Sequence, residues 1–225
     1  MMTLSQLQLL ANKLAISKPV VLLEYYQLIF LKELSESKIS KDLVFKGGTC
    51  LRLAYGSFRF SEDLDFSLIK PVSFKDFKQQ VEQIVSRYPE FSLIETFEMK
   101  KTLFAKIIVQ QHGVRAGIKL EVSKRIRLLV KNQDFVPKIL QTEVSELKPL
   151  FLCFTLEKIY SDKLDAIKNR SKPRDYFDLW YLSQLLNKSW KAPKIKDKKL
   201  MYDRVRFLLP THKRFILEEF EYEKD

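Results

Sequence analysis

Leucines recur at a helical spacing from the first residues of the chain. Leu7, Leu10 and Leu14, followed by Ile16, share one side of a helix that Thr3 or Ser5 can cap, and Pro19 opens a second helix reaching Leu34. The pattern then shortens to an apolar run at residues 43–46, Leu-Val-Phe-Lys, which reads as a strand and stops at Gly47-Gly48-Thr49 before Leu51, Arg52, Leu53 and Ala54 resume a helix. At residues 63–68 the alternation is strict, with Asp63, Asp65 and Ser67 on one side and Leu64, Phe66 and Leu68 on the other. Ser73 caps an amphipathic helix over 74–88 that turns Phe77, Val81, Ile84 and Val85 inward. A period of two returns over 91–99, 103–111 and 115–123, with a turn at His112-Gly113. In the last of these strands Ile118, Leu120 and Val122 face a core while Lys119, Glu121 and Ser123 face outward.

Residues 125–152, interrupted by Pro137 and Pro149, show no clean period, and one connecting strand is expected there without defined limits. Beyond them Thr155 caps a helix through 169, Pro173 opens another through 186, and helices over 197–207 and 211–222 close the chain. The resulting fold class is α+β, a small mixed sheet flanked by helices with a helical C-terminal half. The expected division is a core over 1–150, including the N-terminal helices, and a helical lobe over 151–225 that contributes to the same site.

With 225 residues, 46% of them apolar, the chain suits one domain or two intimately packed lobes, and its 5 glycines argue against low complexity. The net charge of +12 points to a polyanion such as nucleic acid, an ordinary basic surface being the plainer reading. The lysine-rich stretch 188–199 around Trp190 is a solvated linker or, more sharply, a nucleic-acid contact with Trp190 stacking on a base. Cys50 and Cys153 cannot make a disulfide framework or a cysteine-rich zinc site, and His112 and His212 supply no histidine cluster. The apolar stretch 18–31 is interrupted by Glu24 and Gln27 and is too short to span a bilayer. The N-terminus lacks the basic region and apolar core of a signal peptide, so a cytoplasmic protein without a membrane partner is expected.

The chemistry concentrates around Gly47 and Asp65. Glycines let the backbone approach a ligand, and the helix start that follows presents N–H groups to a phosphate. Asp63 and Asp65, on one strand face, repel each other unless a cation lies between them, and hard oxygen donors suit Mg²⁺ or Mn²⁺. Glu121 completes a triad with them if its strand lies beside theirs; otherwise it is an exposed glutamate paired with Lys119 or Lys124. Lys163 and Arg170, seven residues apart on a helix, share a face suited to a nucleoside triphosphate.

Gly-Gly-Thr-x-Leu-Arg-Leu-x-Tyr-Gly at 47–56, followed by Arg-Phe-Ser-Glu-Asp-Leu-Asp-Phe-Ser at 59–67, resembles the AbiEii/AbiGii toxin family, a branch of the DNA polymerase beta-like nucleotidyltransferases. The similarity continues from Lys163 to Trp180, through Arg174-Asp175-Tyr176-Phe177-Asp178. It implies a metal-dependent enzyme that moves a nucleotide from a nucleoside triphosphate to an acceptor such as the tRNA 3′ end, and a toxin neutralised by a cognate antitoxin. It also implies Asp63, Asp65 and Glu121 as metal ligands, Lys163 and Asp175 as further catalytic residues, and Gly47, Gly48, Thr49, Arg52, Ser61, Lys163 and Arg170 around the nucleotide. Asp175 also lies in the first turn of its helix, where any carboxylate is favoured, and Asp178 stands open between a catalytic and a structural part. Two other functions fit the same residues: nucleotidylation of a protein hydroxyl, and a non-catalytic nucleotide- or RNA-binding module that keeps the fold.

Overall fold

In the computed structural model, which describes residues 1–125, 128–170, 172–190 and 198–220, the strands join in one seven-stranded mixed sheet. These are β1 (Leu43–Lys46), β2 (Asp63–Leu68), β3 (Phe91–Met99), β4 (Thr102–Gln111), β5 (Val114–Ser123), β6 (Phe135–Ile139) and β7 (Leu150–Phe154), in the order β3-β4-β5-β2-β1-β7-β6. β1 and β2 are antiparallel neighbours at the centre, β5 runs parallel to β2, and β7 runs parallel to β1. The remaining pairs, β3 with β4, β4 with β5 and β6 with β7, are antiparallel.

The inward residues of the strands are those the alternation picks out. Leu103, Ala105, Ile107 and Val109 of β4 and Ile118, Leu120 and Val122 of β5 are buried. Helices α2 (Lys18–Ser35) and α4 (Phe74–Ser86) pack over this part of the sheet, α2 against β5 and α4 against β3 and β4. α1 (Leu4–Lys13) lies on α2 and starts with a capping box: Thr3 Oγ1 accepts from Gln6 N–H while the Gln6 side chain accepts from Thr3 N–H. Ser73 caps α4 by accepting from Asp76 N–H. Among the described residues no single helix is long and apolar enough to cross a membrane, and α2, the most apolar, is a core helix.

The stretch 125–152 differs from its expectation because it contributes to two strands. β7 is a continuous apolar run, Leu-Phe-Leu-Cys-Phe, as a strand with neighbours on both sides should be, and it shows no period of two. β6 tolerates Pro137 because it is the edge strand. The chain therefore returns to the sheet at residue 150 before α5 (Leu156–Arg170) and α6 (Pro173–Leu185) begin. A second apolar cluster gathers Phe177, Met201, Val205, Leu209 and Leu217 around the C-terminal elements. There α7 (Lys198–Val205) forms the first of the two expected helices and ends in a 3-10 turn at Arg206–Leu208, while a 3-10 helix at Thr211–Glu219 stands in place of the second; residues 197, 221 and 222 of the expected spans lie outside the described residues. Most of the expected lysine-rich contact, 191–197, lies outside them as well, and Trp190 packs edge-on against Phe220 with ring centroids 6.0 Å apart.

Candidate active site

The carboxylates come together through strand register. β2 places Asp63 and Asp65 on one face, and β5 beside it pairs Glu121 with Asp65 and Lys119 with Asp63. On the other flank β1 pairs Lys46 with Asp65. The adjacency that the triad requires is thus present, and Glu121 lies beside Asp65 on the same face of the sheet.

α3 (Gly47–Tyr55) starts directly against this row. Gly47 has φ +79°, a conformation that side chains disfavour, and a Cβ there would stand 2.5 Å from Asp65 Oδ2, so only glycine lets the helix start approach the carboxylate. Burial, then the neighbouring charge of Asp63 and more weakly of Glu121, push the Asp65 carboxyl up to about 6 in spite of Lys46 and Lys163. Asp63 Oδ2 accepts from Arg174 at 3.4 Å, whereas its Oδ1 is buried without a protein partner.

Behind the carboxylates lies a chain of alternating charges. Arg59 donates through Nε and Nη2 to Asp178 at 2.8 and 2.9 Å; Lys163 Nζ lies 2.6 Å from Asp178 and 2.7 Å from Asp175; Arg170 Nε donates to Asp175 at 2.9 Å. Arg59 and Asp178 are almost wholly buried, with side chains 2% and 1% exposed, so each charge depends on the other. Burial alone would raise both aspartates. Lys163 and Arg170 instead hold Asp175 down to about 2, and Arg59 with Lys163 holds Asp178 below the usual carboxylate range. Gly48 belongs to this arrangement: a Cβ on it would fall on the Arg59 guanidinium and 2.8 Å from Ser61 Oγ.

Two cavities flank the row. A small polar one of about 100 Å³ is bounded by Gly48, Ser61, Asp63, Lys172, Arg174 and Asp175. A wider one of about 440 Å³ lies between Lys46, Gly47 and Glu121 and the α5 residues Asp165, Asn169 and Arg170. Asp65, Glu121, Lys163 and Arg170 border both. A larger cavity of about 730 Å³, beside Asp42 and α4, contains none of the residues singled out in the sequence.

Most of the sequence-predicted residues meet at this cleft, but two do not line it. Thr49 is buried and donates its hydroxyl to the Asp63 carbonyl, which ties α3 to the start of β2. Arg52, expected at the nucleotide, is held by Glu24 at 2.8 and 3.0 Å and by the Ser57 carbonyl, with its guanidinium 4.0 Å above the Phe60 ring. It anchors α3 to α2. Asp175 lies in the first turn of α6 and pairs with Lys163. Arg59, Lys172 and Arg174 were not picked out as site residues. The first is a loop arginine without periodicity, and the other two read as an ordinary helix start; only their partners, distant in sequence, mark them.

The donor set fits a divalent cation held partly by substrate. Among the described residues no three His, Cys, Asp or Glu side chains converge as a ready cage. Mg²⁺ is ordinarily held by one or two carboxylates together with water and substrate phosphates, however, and Asp63 and Asp65 offer an unpartnered oxygen and a carboxyl whose charge is costly without a cation.

No curated protein matches the chain by sequence. Among solved structures it is similar to MenT4, a nucleotidyltransferase toxin from Mycobacterium tuberculosis H37Rv, with a TM-score of 0.56 and 20% identity over 87% of this chain and 67% of that one. It is also similar to JHP933 from Helicobacter pylori, with a TM-score of 0.53 and 24% identity over 75% of this chain and 68% of that one. At these identities the likeness shows the shared fold. The family model for the nucleotidyl transferase AbiEii toxin of type IV toxin–antitoxin systems matches residues 29–224, a span that includes every charged group of the cleft, and the chain belongs to that family of nucleotidyltransferases.

Proposed function

We propose that the cleft transfers a nucleotide from a nucleoside triphosphate to a hydroxyl of an RNA acceptor, such as the tRNA 3′ end, using Mg²⁺ or Mn²⁺ at Asp63, Asp65 and Glu121. The observation that carries this reading is the register of Asp65 with Glu121, which lines up three carboxylates beside a glycine-rich helix start. As a toxin of its family, the protein has a nucleotide substrate and a cognate antitoxin as partner.

In this mechanism the acceptor oxygen bonds to the α-phosphorus as the bond to the β-phosphate breaks, and pyrophosphate leaves. The free N–H groups at the start of α3 and the cations Lys172 and Arg174 receive phosphate oxygens in the small cavity. Lys163 has two of its three donors committed to Asp175 and Asp178, which fixes its ammonium at the junction of both cavities. Asp65 and the exposed Glu121 are placed to take the proton of the acceptor hydroxyl. A divalent cation bound there would acidify that hydroxyl and neutralise the departing pyrophosphate.

The test is incubation with total RNA, each labelled nucleoside triphosphate and Mg²⁺, followed by separation of RNA from protein. Label in RNA supports the proposal. Label only in protein would move the acceptor to a protein hydroxyl, and nucleotide binding without transfer would leave a binding module.

A further inference from the structure

The row of residues that carries the catalytic carboxylates continues sideways across the sheet. Register aligns Lys46, Asp65, Glu121, Phe104 and Phe97 on five successive strands, β1, β2, β5, β4 and β3. Directly opposed residues project from the same face of a sheet, so the two phenylalanines lie on the face that carries Asp65 and Glu121. Their neighbours in β4, Leu103 and Ala105, are buried towards α2 and α4, which leaves Phe104 on the other side. The two rings are stacked, with centroids 4.6 Å apart and planes 22° from parallel, and neither belongs to an apolar core cluster. The next row brings Asp63, Lys119, Lys106 and Glu95 together, two cations and one further carboxylate alongside the rings.

We infer that this face is the platform on which the unpaired end of the acceptor RNA lies: bases stack on Phe104 and Phe97, and Lys106 and Lys119 meet the backbone phosphates. The inference rests on the nucleotidyltransferase reading of the same cleft and adds where its acceptor approaches. Strands lie about 4.8 Å apart, so Phe104 is one strand from Glu121 and about 10 Å from Asp65. A terminal hydroxyl can therefore reach the carboxylates while the preceding bases rest on the rings. Aromatic rings on an open sheet face beside lysines suit single-stranded nucleic acid, because every base has a face to stack and a duplex hides it. A protein partner would find charged residues beside the ring pair, Glu121 in the same row and Lys119, Lys106 and Glu95 in the next, and the net charge of +12 favours the polyanion.

The test measures binding of a labelled single-stranded oligoribonucleotide, of the same oligonucleotide annealed to its complement, and of a nucleoside triphosphate with Mg²⁺, to the full chain. Phe97→Leu with Phe104→Leu keeps apolar volume and removes the rings; Lys106→Glu with Lys119→Glu reverses the flanking charge on exposed or partly exposed positions. The expected result is single-strand affinity reduced by about tenfold or more in each double variant, a shallower salt dependence in the lysine pair, weaker duplex binding by wild type, and unchanged triphosphate affinity and melting temperature. If the phenylalanine pair lowers the melting temperature, the lysine pair alone decides. Unchanged single-strand affinity in the lysine pair and in a folded phenylalanine pair overturns the inference. Wild type that binds triphosphate but no single strand overturns the platform and leaves the transferase reading standing, whereas wild type that binds no triphosphate overturns the transferase reading itself.

Discussion

Replacing Asp65 by asparagine is expected to stabilise the protein while abolishing transfer, a combination that a structural aspartate would not give. The carboxyl is raised from its usual 3.8 to about 6, so the folded state holds its proton more tightly than the unfolded chain does. Stability therefore declines as pH rises from about 4 to about 6 and stays lowered at neutral pH. At about 1.4 kcal/mol per pH unit the full cost is about 3 kcal/mol, and solvent on the cleft side reduces it to about 2 kcal/mol. Asparagine keeps the shape and removes the charge. In metal-free buffer the variant should melt about 5 °C above wild type near pH 7.5, and the two should converge near pH 4, where Asp65 is neutral. Thermal unfolding across that range, with a chelator present, provides the measurement, and transfer of labelled nucleotide provides the companion assay. A variant less stable than wild type at neutral pH, or a gain that does not depend on pH, would refute the argument that desolvation and the Asp63 charge outweigh Lys46 and Lys163 at this carboxylate.

Arg59→Met leaves Asp178 buried without its main partner and should cost about 3–5 kcal/mol in urea unfolding, with Arg59→Met plus Asp178→Leu recovering much of that loss. Lys163→Met should lower stability as well as transfer, because it takes one cationic partner from Asp175 and one from Asp178, leaving them Arg170 and Arg59; full stability in this variant would show that the ion chain does not support the fold. Asp175, held down to about 2, contributes stability that is complete above about pH 4 and lost as pH falls through about 2, so Asp175→Asn should flatten the acid limb of the stability curve. Gly47→Ala should suppress transfer through its contact with Asp65, whereas Gly113→Ala, equally strained at φ +74° but with nothing within 4 Å of its Cβ, should lose about 1 kcal/mol and keep full activity.

Local physics made much of this protein legible in its sequence. The leucine spacing of α1, the Ser73 cap and the alternation through β4 and β5 are short-range patterns, and residues 63–68 by themselves put both aspartates on one strand face. The triad was legible only as a condition, because Glu121 joins Asp65 through the parallel register of two strands that end at Leu68 and begin at Val114, and no periodicity encodes a register. The two functions of the glycine pair were hidden for the same reason. Gly47 and Gly48 read as a phosphate approach, yet the atoms that forbid a side chain there belong to Asp65, Arg59 and Ser61. Arg52 and Arg59 make the contrast plain: they are single arginines on either side of Gly56, and tertiary contacts sent one to Glu24, away from the cleft, and the other to Asp178 beneath it. Charge and period along a chain state which groups need burial or a partner; which partner each one finds is decided only when the sheet closes, because Coulomb attraction and steric exclusion act between neighbours in space.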